Sequence, residues 1–150
     1  MKKRKLSILC CTVLLLIASC STDPEPINYG KDQCENCRMT IMDNKFGCEI
    51  LTTKGKIYKF DAIECMVNFL NQRKLKIEEV DKFLVTDASK PAGFIDGRHA
   101  TYLFSDKFPS PMGANLSAFE TMDEAQAFKE SHFGLITNWE GILAELSKSK

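Results

Sequence analysis

Three stretches of the sequence carry sulfur in patterns that could do chemistry. The first is Cys34-Glu35-Asn36-Cys37-Arg38-Met39. A Cys-x-x-Cys spacing sets two thiols across one turn, close enough to share a metal or to form a disulfide. If residues 37–39 open a strand, Cys37 and Met39 project to the same face, as side chains two apart in a strand do. A thiolate beside a thioether is a soft donor pair, which selects copper(I), whereas zinc sites rarely use methionine. Copper(I) is satisfied by two or three such ligands, so no closed four-ligand cage is needed. A neutral thioether also binds less tightly than a second thiolate, which suits a site that gives up its metal.

The second stretch is Ser110-Pro111-Met112-Gly113. A methionine on a Pro/Gly loop is a poor core filler, whereas a mobile loop can swing its sulfur onto a metal; packing over a crevice is the alternative. The third is Cys65-Met66. Met66 falls on the apolar stripe of a helix and reads as core. Cys65 either pairs with Cys48 in a structural disulfide or sits reduced and buried. Met42 and Met122 read as core. His99 and His132 are isolated, and His99, just before a strand, is the better ligand candidate of the two. Other readings of Cys34 and Cys37 stay open. A structural disulfide is natural in an exported chain. A thioredoxin-type redox pair sits at a helix start, but Met39-Thr40-Ile41-Met42 reads as extended. A zinc knuckle needs a second ligand pair, which Cys48 and Cys65 do not supply in Cys-x-x-Cys form.

The elements that would position these groups follow a repeat. Residues 46–52 and 56–60 read as strands around a Thr53-Lys54-Gly55 turn. Asp61 opens a helix with Glu64 as capping-box partner, and Ile63, Met66, Phe69 and Leu70 give it an apolar face. Residues 83–86 read as a third strand. In the second half, 100–105 and 116–119 are strands and Thr121 with Glu124 opens a helix. Ala125 and Phe128 line its buried face, Gly134 ends it, and 135–139 is again extended. The halves align about the helix start with an offset of 59, pairing Phe60 with Phe119 and Phe69 with Phe128. The expected fold is α+β, made of two small β-β-α-β units. Residues 34–90 form the unit with CxxCxM, and residues 91–146 the unit with the Pro-Met-Gly loop. Sites commonly sit in the crevice between such halves.

Before these units, Lys2, Lys3, Arg4 and Lys5 precede an apolar run from Leu6 to Ile17. That run is of signal-peptide length and too short for a comfortable membrane span. It ends in Ile17-Ala18-Ser19-Cys20, a bacterial lipobox. Residues 1–19 are expected to be a lipoprotein signal removed before Cys20, which takes the lipid, and residues 20–33 a flexible tether. Cys10 and Cys11 leave with the signal. Of 20 basic residues four leave too, so 16 face 20 acidic ones and the mature chain is near −4. With no basic cluster, nucleic acid is not expected as a partner. The expected location is the cell envelope, outside the cytoplasm. With Ser21 after the lipidated cysteine, the outer membrane is favoured where there are two. In that oxidising space Cys34, Cys37, Cys48 and Cys65 each need a metal, a disulfide or burial.

Taken together, Cys34-x-x-Cys37-x-Met39, Tyr58-x-Phe60-Asp61-x-Ile63-x-Cys65-Met66, and Ser110-Pro111-Met112-Gly113 followed by Ala118-Phe119 resemble the NosL family. Its members are lipoproteins that act as copper chaperones for the assembly of nitrous oxide reductase. The resemblance runs from Cys34 to about Leu143 and implies two β-β-α-β units. It places the Cys-x-Met ligands on Cys37 and Met39 and the loop methionine on Met112, with Cys34 undecided between ligand and bystander. Many relatives have Gly where this chain has Arg38. The resemblance implies copper(I) as cargo and, as partner, a membrane ABC-type maturation complex or the apo-reductase. A homodimer around a shared ion is compatible with the sequence. No catalytic constellation is found, so no enzymatic step is expected. Two rivals remain: an envelope thiol–disulfide redox protein using Cys34 and Cys37, and an interaction lipoprotein whose cysteines form structural disulfides.

Overall fold

The computed structural model describes residues 23–148 except Arg73. The expected signal segment and the lipidation at Cys20 lie outside the described residues. The elements run β1 (Cys48–Thr52), β2 (Ile57–Phe60), α1 (Ile63–Asn71), a 3-10 turn (Ile77–Glu79), β3 (Val80–Thr86) and β4 (Phe94–Asp96). They continue with β5 (Thr101–Phe104), β6 (Leu116–Phe119), α2 (Met122–His132), β7 (Leu135–Thr137) and α3 (Trp139–Lys148). All strand pairings are antiparallel, in two sheets ordered β2-β1-β3-β4 and β6-β5-β7.

The two β-β-α-β units are therefore present and share one topology, with the first strand central and the second and third on its flanks. The offset holds where it was read: β2 and β6 start 59 residues apart (116 − 57), as do α1 and α2 (122 − 63). The first hairpin turns on Gly55, whose φ of 78° lies in the left-handed region that glycine enters without penalty. At the start of α2 the capping box forms as expected, Thr121 Oγ1 accepting from the Glu124 backbone N–H and Glu124 answering the Thr121 N–H.

Two elements extend the repeat. β4 pairs with β3, Leu84–Thr86 against Phe94–Asp96, so the first sheet draws on residues past 90. Residues 138 onward turn helical instead of continuing β7. Asn138 Oδ1 accepts from the Gly141 N–H at 3.0 Å, a helix N-cap, and Trp139, Ile142 and Leu146 supply a buried stripe at helical spacing. That stripe closes one core shared by both sheets: Ile50, Phe60, Met66 and Phe83 lie in the same cluster as Tyr102, Leu116, Trp139 and Ile142. The Trp139 ring meets Phe83 at 4.9 Å. A parallel bridge between Asp87 and Ala118, with the Ala88 N–H donating to the Ala118 carbonyl at 2.8 Å, stitches the sheets together. Met42 and Met122, expected in the core, are exposed instead. Met42 lies in the loop before β1, and Met122 is the first residue of a helix that buries only Ala125 completely.

Candidate metal centre

The Cys34–Met39 stretch is a closed turn, not the start of a strand. The Cys34 N–H donates to the Met39 carbonyl at 2.8 Å and the Arg38 N–H to the Cys34 carbonyl at 3.0 Å, under a bridge between Gln33 and Thr40. Arg38 holds a φ of 66°, which reverses the chain between Cys37 and Met39. The premise that alternation puts Cys37 and Met39 on one strand face therefore fails. What brings the motif to the fold is the Glu35 N–H, which donates to the Lys59 carbonyl on β2 at 2.8 Å. The turn is thereby fastened beside the corner where β2 passes into α1.

That corner supplies two more donors. Asp61 precedes α1 and Cys65 stands in its first turn, the Cys65 N–H donating to the Ala62 carbonyl at 3.1 Å. One ligand atom from each of Cys34, Cys37, Asp61 and Cys65 lies within 4.8 Å of every other. Cys34, Asp61 and Cys65 are buried, and Cys37 is partly open to solvent. The Cys37 thiol donates to Asp61 Oδ2 at 3.7 Å, and Asn36 Nδ2 donates to Cys65 Sγ at 3.8 Å. The second carboxylate oxygen, Asp61 Oδ1, is buried without a hydrogen-bond partner. The adjacent Cys65 thiol, as donor, pulls Cys34 down to about 6, and the same pairing, with burial, pushes Cys65 far up. Burial raises Cys37. All four cysteines of the described residues are free thiols, and Cys48, buried on β1, stands outside the cluster.

The methionines lie on the outer side. Met39 is 55% and Met112 38% exposed, so both side chains reach the surface. The loop of Met112 is tied to the cluster through Glu64, the neighbour of Cys65. Glu64 Oε1 accepts from the Ser110 hydroxyl and from the Ala114 N–H, the latter at 3.2 Å. Glu64 thus does not cap α1, whose N-cap is Ala62 without a side-chain cap. It is buried, its carboxyl raised by that burial, and it fastens both shoulders of a loop whose tip is Pro111-Met112-Gly113. The histidines take no part. His99 Nδ1 pairs with Asp96 at 2.7 Å on the surface, and His132 stacks on Phe128 at 3.8 Å. A second acidic group, Asp87, Glu120 and Glu124, is bridged by Lys90 Nζ at 3.5, 2.9 and 3.4 Å.

The structure therefore brings Cys34 and Cys37 together, places Met39 and Met112 at the exposed side, and adds Asp61 and Cys65. Helical spacing could not have signalled the last two, because Asp61 lies before the extended N-cap Ala62 and only Cys65 is in α1.

Over residues 27–147 the sequence matches the model of the family described as NosL. The chain belongs to the NosL family. Among solved structures, the crystal structure of the copper chaperone NosL from Shewanella denitrificans superposes with a TM-score of 0.68 at 23% identity, covering 79% of this chain and 94% of that one. The likeness establishes a shared NosL fold. No curated protein was found to match the sequence.

Within this NosL turn, the left-handed φ of Arg38 costs an L-residue about 1 kcal/mol that glycine avoids. The Arg38–Glu35 ion pair at 3.1 Å is exposed and offsets little of it. Arg38→Gly is expected to raise stability by up to about 1 kcal/mol in urea denaturation; a loss of stability would show that the side chain holds the turn.

Proposed function

We propose that the protein is a lipid-anchored copper(I) chaperone of the cell envelope, which carries copper for the assembly of nitrous oxide reductase. The observation that carries the reading is the set of free thiols of Cys34, Cys37 and Cys65 converging within 4.8 Å, flanked by exposed thioethers, in a NosL-family chain. Such donors select copper(I), and a site open on one side can exchange ligands without leaving the ion bare. Copper is cargo: Cys37 with Met39 and Met112 forms the outward ligand set, and Cys34 adds a thiolate from below. Hand-over is ligand exchange, with sulfurs of the recipient replacing the methionines first. The recipient is the membrane ABC-type maturation complex or the apo-reductase, and the lipid on Cys20 keeps the carrier at that surface. The chemistry needs no acid, base or redox change, so the protein is not an enzyme.

Zinc(II) is the rival cargo favoured by one observation. Three thiols and the free oxygen of Asp61 make the four-donor set of a closed zinc site. Chelator competition on the reduced mature protein separates the two. Copper(I) is expected to bind at one equivalent, far more tightly than zinc. Asp61→Asn is expected to weaken zinc at least about tenfold while leaving copper(I) within a factor of about two, because carboxylate oxygen is a hard donor. Absence of copper(I) binding by the wild type would overturn the proposal, and equal losses for both metals would make Asp61 a copper ligand.

A further inference from the structure

The outward Cys37, Met39 and Met112 set leaves the two buried thiols of the site outside it. Cys34 and Cys65 are fully buried, belong to no disulfide, and hold their sulfurs within 4.8 Å of each other. A buried structural cysteine normally packs among apolar atoms. Cys65 borders the core but also has two other sulfurs within 4.8 Å, an Asn36 amide donating to its Sγ at 3.8 Å, and a place in the first turn of α1. An amide N–H and a helix N-terminus are both groups that stabilise negative charge on sulfur. Cys37 lies within 4.8 Å of both thiols and is the member of the trio that reaches solvent.

We propose that Cys65 is a copper ligand, and that copper(I) rests on an inner site of Cys34, Cys37 and Cys65. The outward set of Cys37, Met39 and Met112 is then the exit, and the ion moves between the two positions while staying bound to Cys37. This rests on the copper reading above and adds the residue that reading lacks. Copper stays copper(I) throughout. A thiol becoming a ligand releases its S–H proton to solvent, and no electron changes place. Three thiolates hold copper(I) more tightly than a thiolate with two thioethers, so the inner position stores the ion and the outer one presents it. Asp61, which accepts from the Cys37 thiol in the metal-free protein, stays outside the copper shell.

Copper K-edge X-ray absorption and chelator competition test this on the reduced mature protein with one equivalent of copper(I). The wild type is expected to show three sulfur neighbours. In Cys65→Ser the count should fall by one, with an affinity loss of about a hundredfold, at the upper end of what a merely supporting residue costs. Because Cys65 is buried, a second variant guards against a folding defect. Met39→Ala with Met112→Ala removes two exposed side chains of the exit and should keep three sulfur neighbours at the resting ion, while transfer to a competing thiol peptide slows. A sulfur count that falls in that double variant, or Cys65→Ser binding at full strength, overturns the inner site and leaves the copper reading standing. Failure of the wild type to bind copper(I) overturns both.

Discussion

Cys37→Ala is expected to lower copper(I) affinity by about a thousandfold, roughly 4 kcal/mol, the largest loss of any single site substitution. Cys37 belongs to the proposed outward set and, on the inner-site proposal, to the resting set as well, so no alternative arrangement keeps a full complement of sulfur. The loss should not come from misfolding. Cys37 lies in a turn and is partly exposed, and its one side-chain hydrogen bond is the 3.7 Å contact with Asp61. Truncation at such a position is expected to change stability by less than about 1 kcal/mol. Competition with a copper(I) chelator, read beside an unfolding curve, separates the two quantities. Wild-type affinity in this variant would remove the Cys34–Cys37 turn from copper chemistry altogether.

Gly134→Ala is the corresponding prediction for the fold. Gly134 has a φ of 119°, and a Cβ there would lie 1.9 Å from the Phe104 carbonyl oxygen and 3.0 Å from its carbon. The obstacle is backbone, so no rotamer change relieves it. The neighbouring pair Phe104–Leu135 is part of the β5–β7 ladder, and moving either strand breaks it. Phe133 just before is itself left-handed at 56°, leaving the turn little slack. A loss of about 4 kcal/mol is expected, in the range reserved for steric conflicts at special backbone positions. Gly141→Ala makes a useful contrast. Its Cβ would meet Thr137 Oγ1 at 1.8 Å, a side-chain atom that can rotate away, so the cost should be smaller. Thermal unfolding of the two variants checks both the size and the order. Equal midpoints would mean that the chain after α2 relaxes more easily than this geometry allows. The copper site, built from the turn and the β2–α1 corner, should bind normally in whatever fraction stays folded.

Much of the fold was legible because its signals are local. The Thr53-Lys54-Gly55 turn located the β1–β2 hairpin, the Thr121–Glu124 box marked the start of α2, and the 59-residue offset exposed the repeat. Where the same signals failed, a distant partner had won. Asp61 and Glu64 read as a capping box, but Asp61 is held by the Cys37 thiol and Glu64 by Ser110, 24 and 46 residues away in sequence. No local rule sees those partners. The helix over 139–148 carried a readable stripe in Trp139, Ile142 and Leu146, but the strand reading of 135–139 had already absorbed its first member. β4, three residues long, is too short for a periodicity signal. The candidate site divides in the same way. The Cys-x-x-Cys-x-Met spacing marked Cys34 and Cys37 as neighbours, whereas Cys65 read as a core or disulfide cysteine. Its convergence with them depends on how β2 feeds into α1.

The double attachment of the Met112 loop to Glu64 has a consequence for speed. With Ser110 and Ala114 both fastened to one buried carboxylate, the free arm is three residues long, and its sulfur sweeps a small volume. Such a tip cannot go out and hunt for an acceptor. Delivery would then be limited by how often a recipient lands in the right pose, not by excursions of the carrier. The proposed lipid anchor, by confining carrier and recipient to one membrane plane, would raise that frequency.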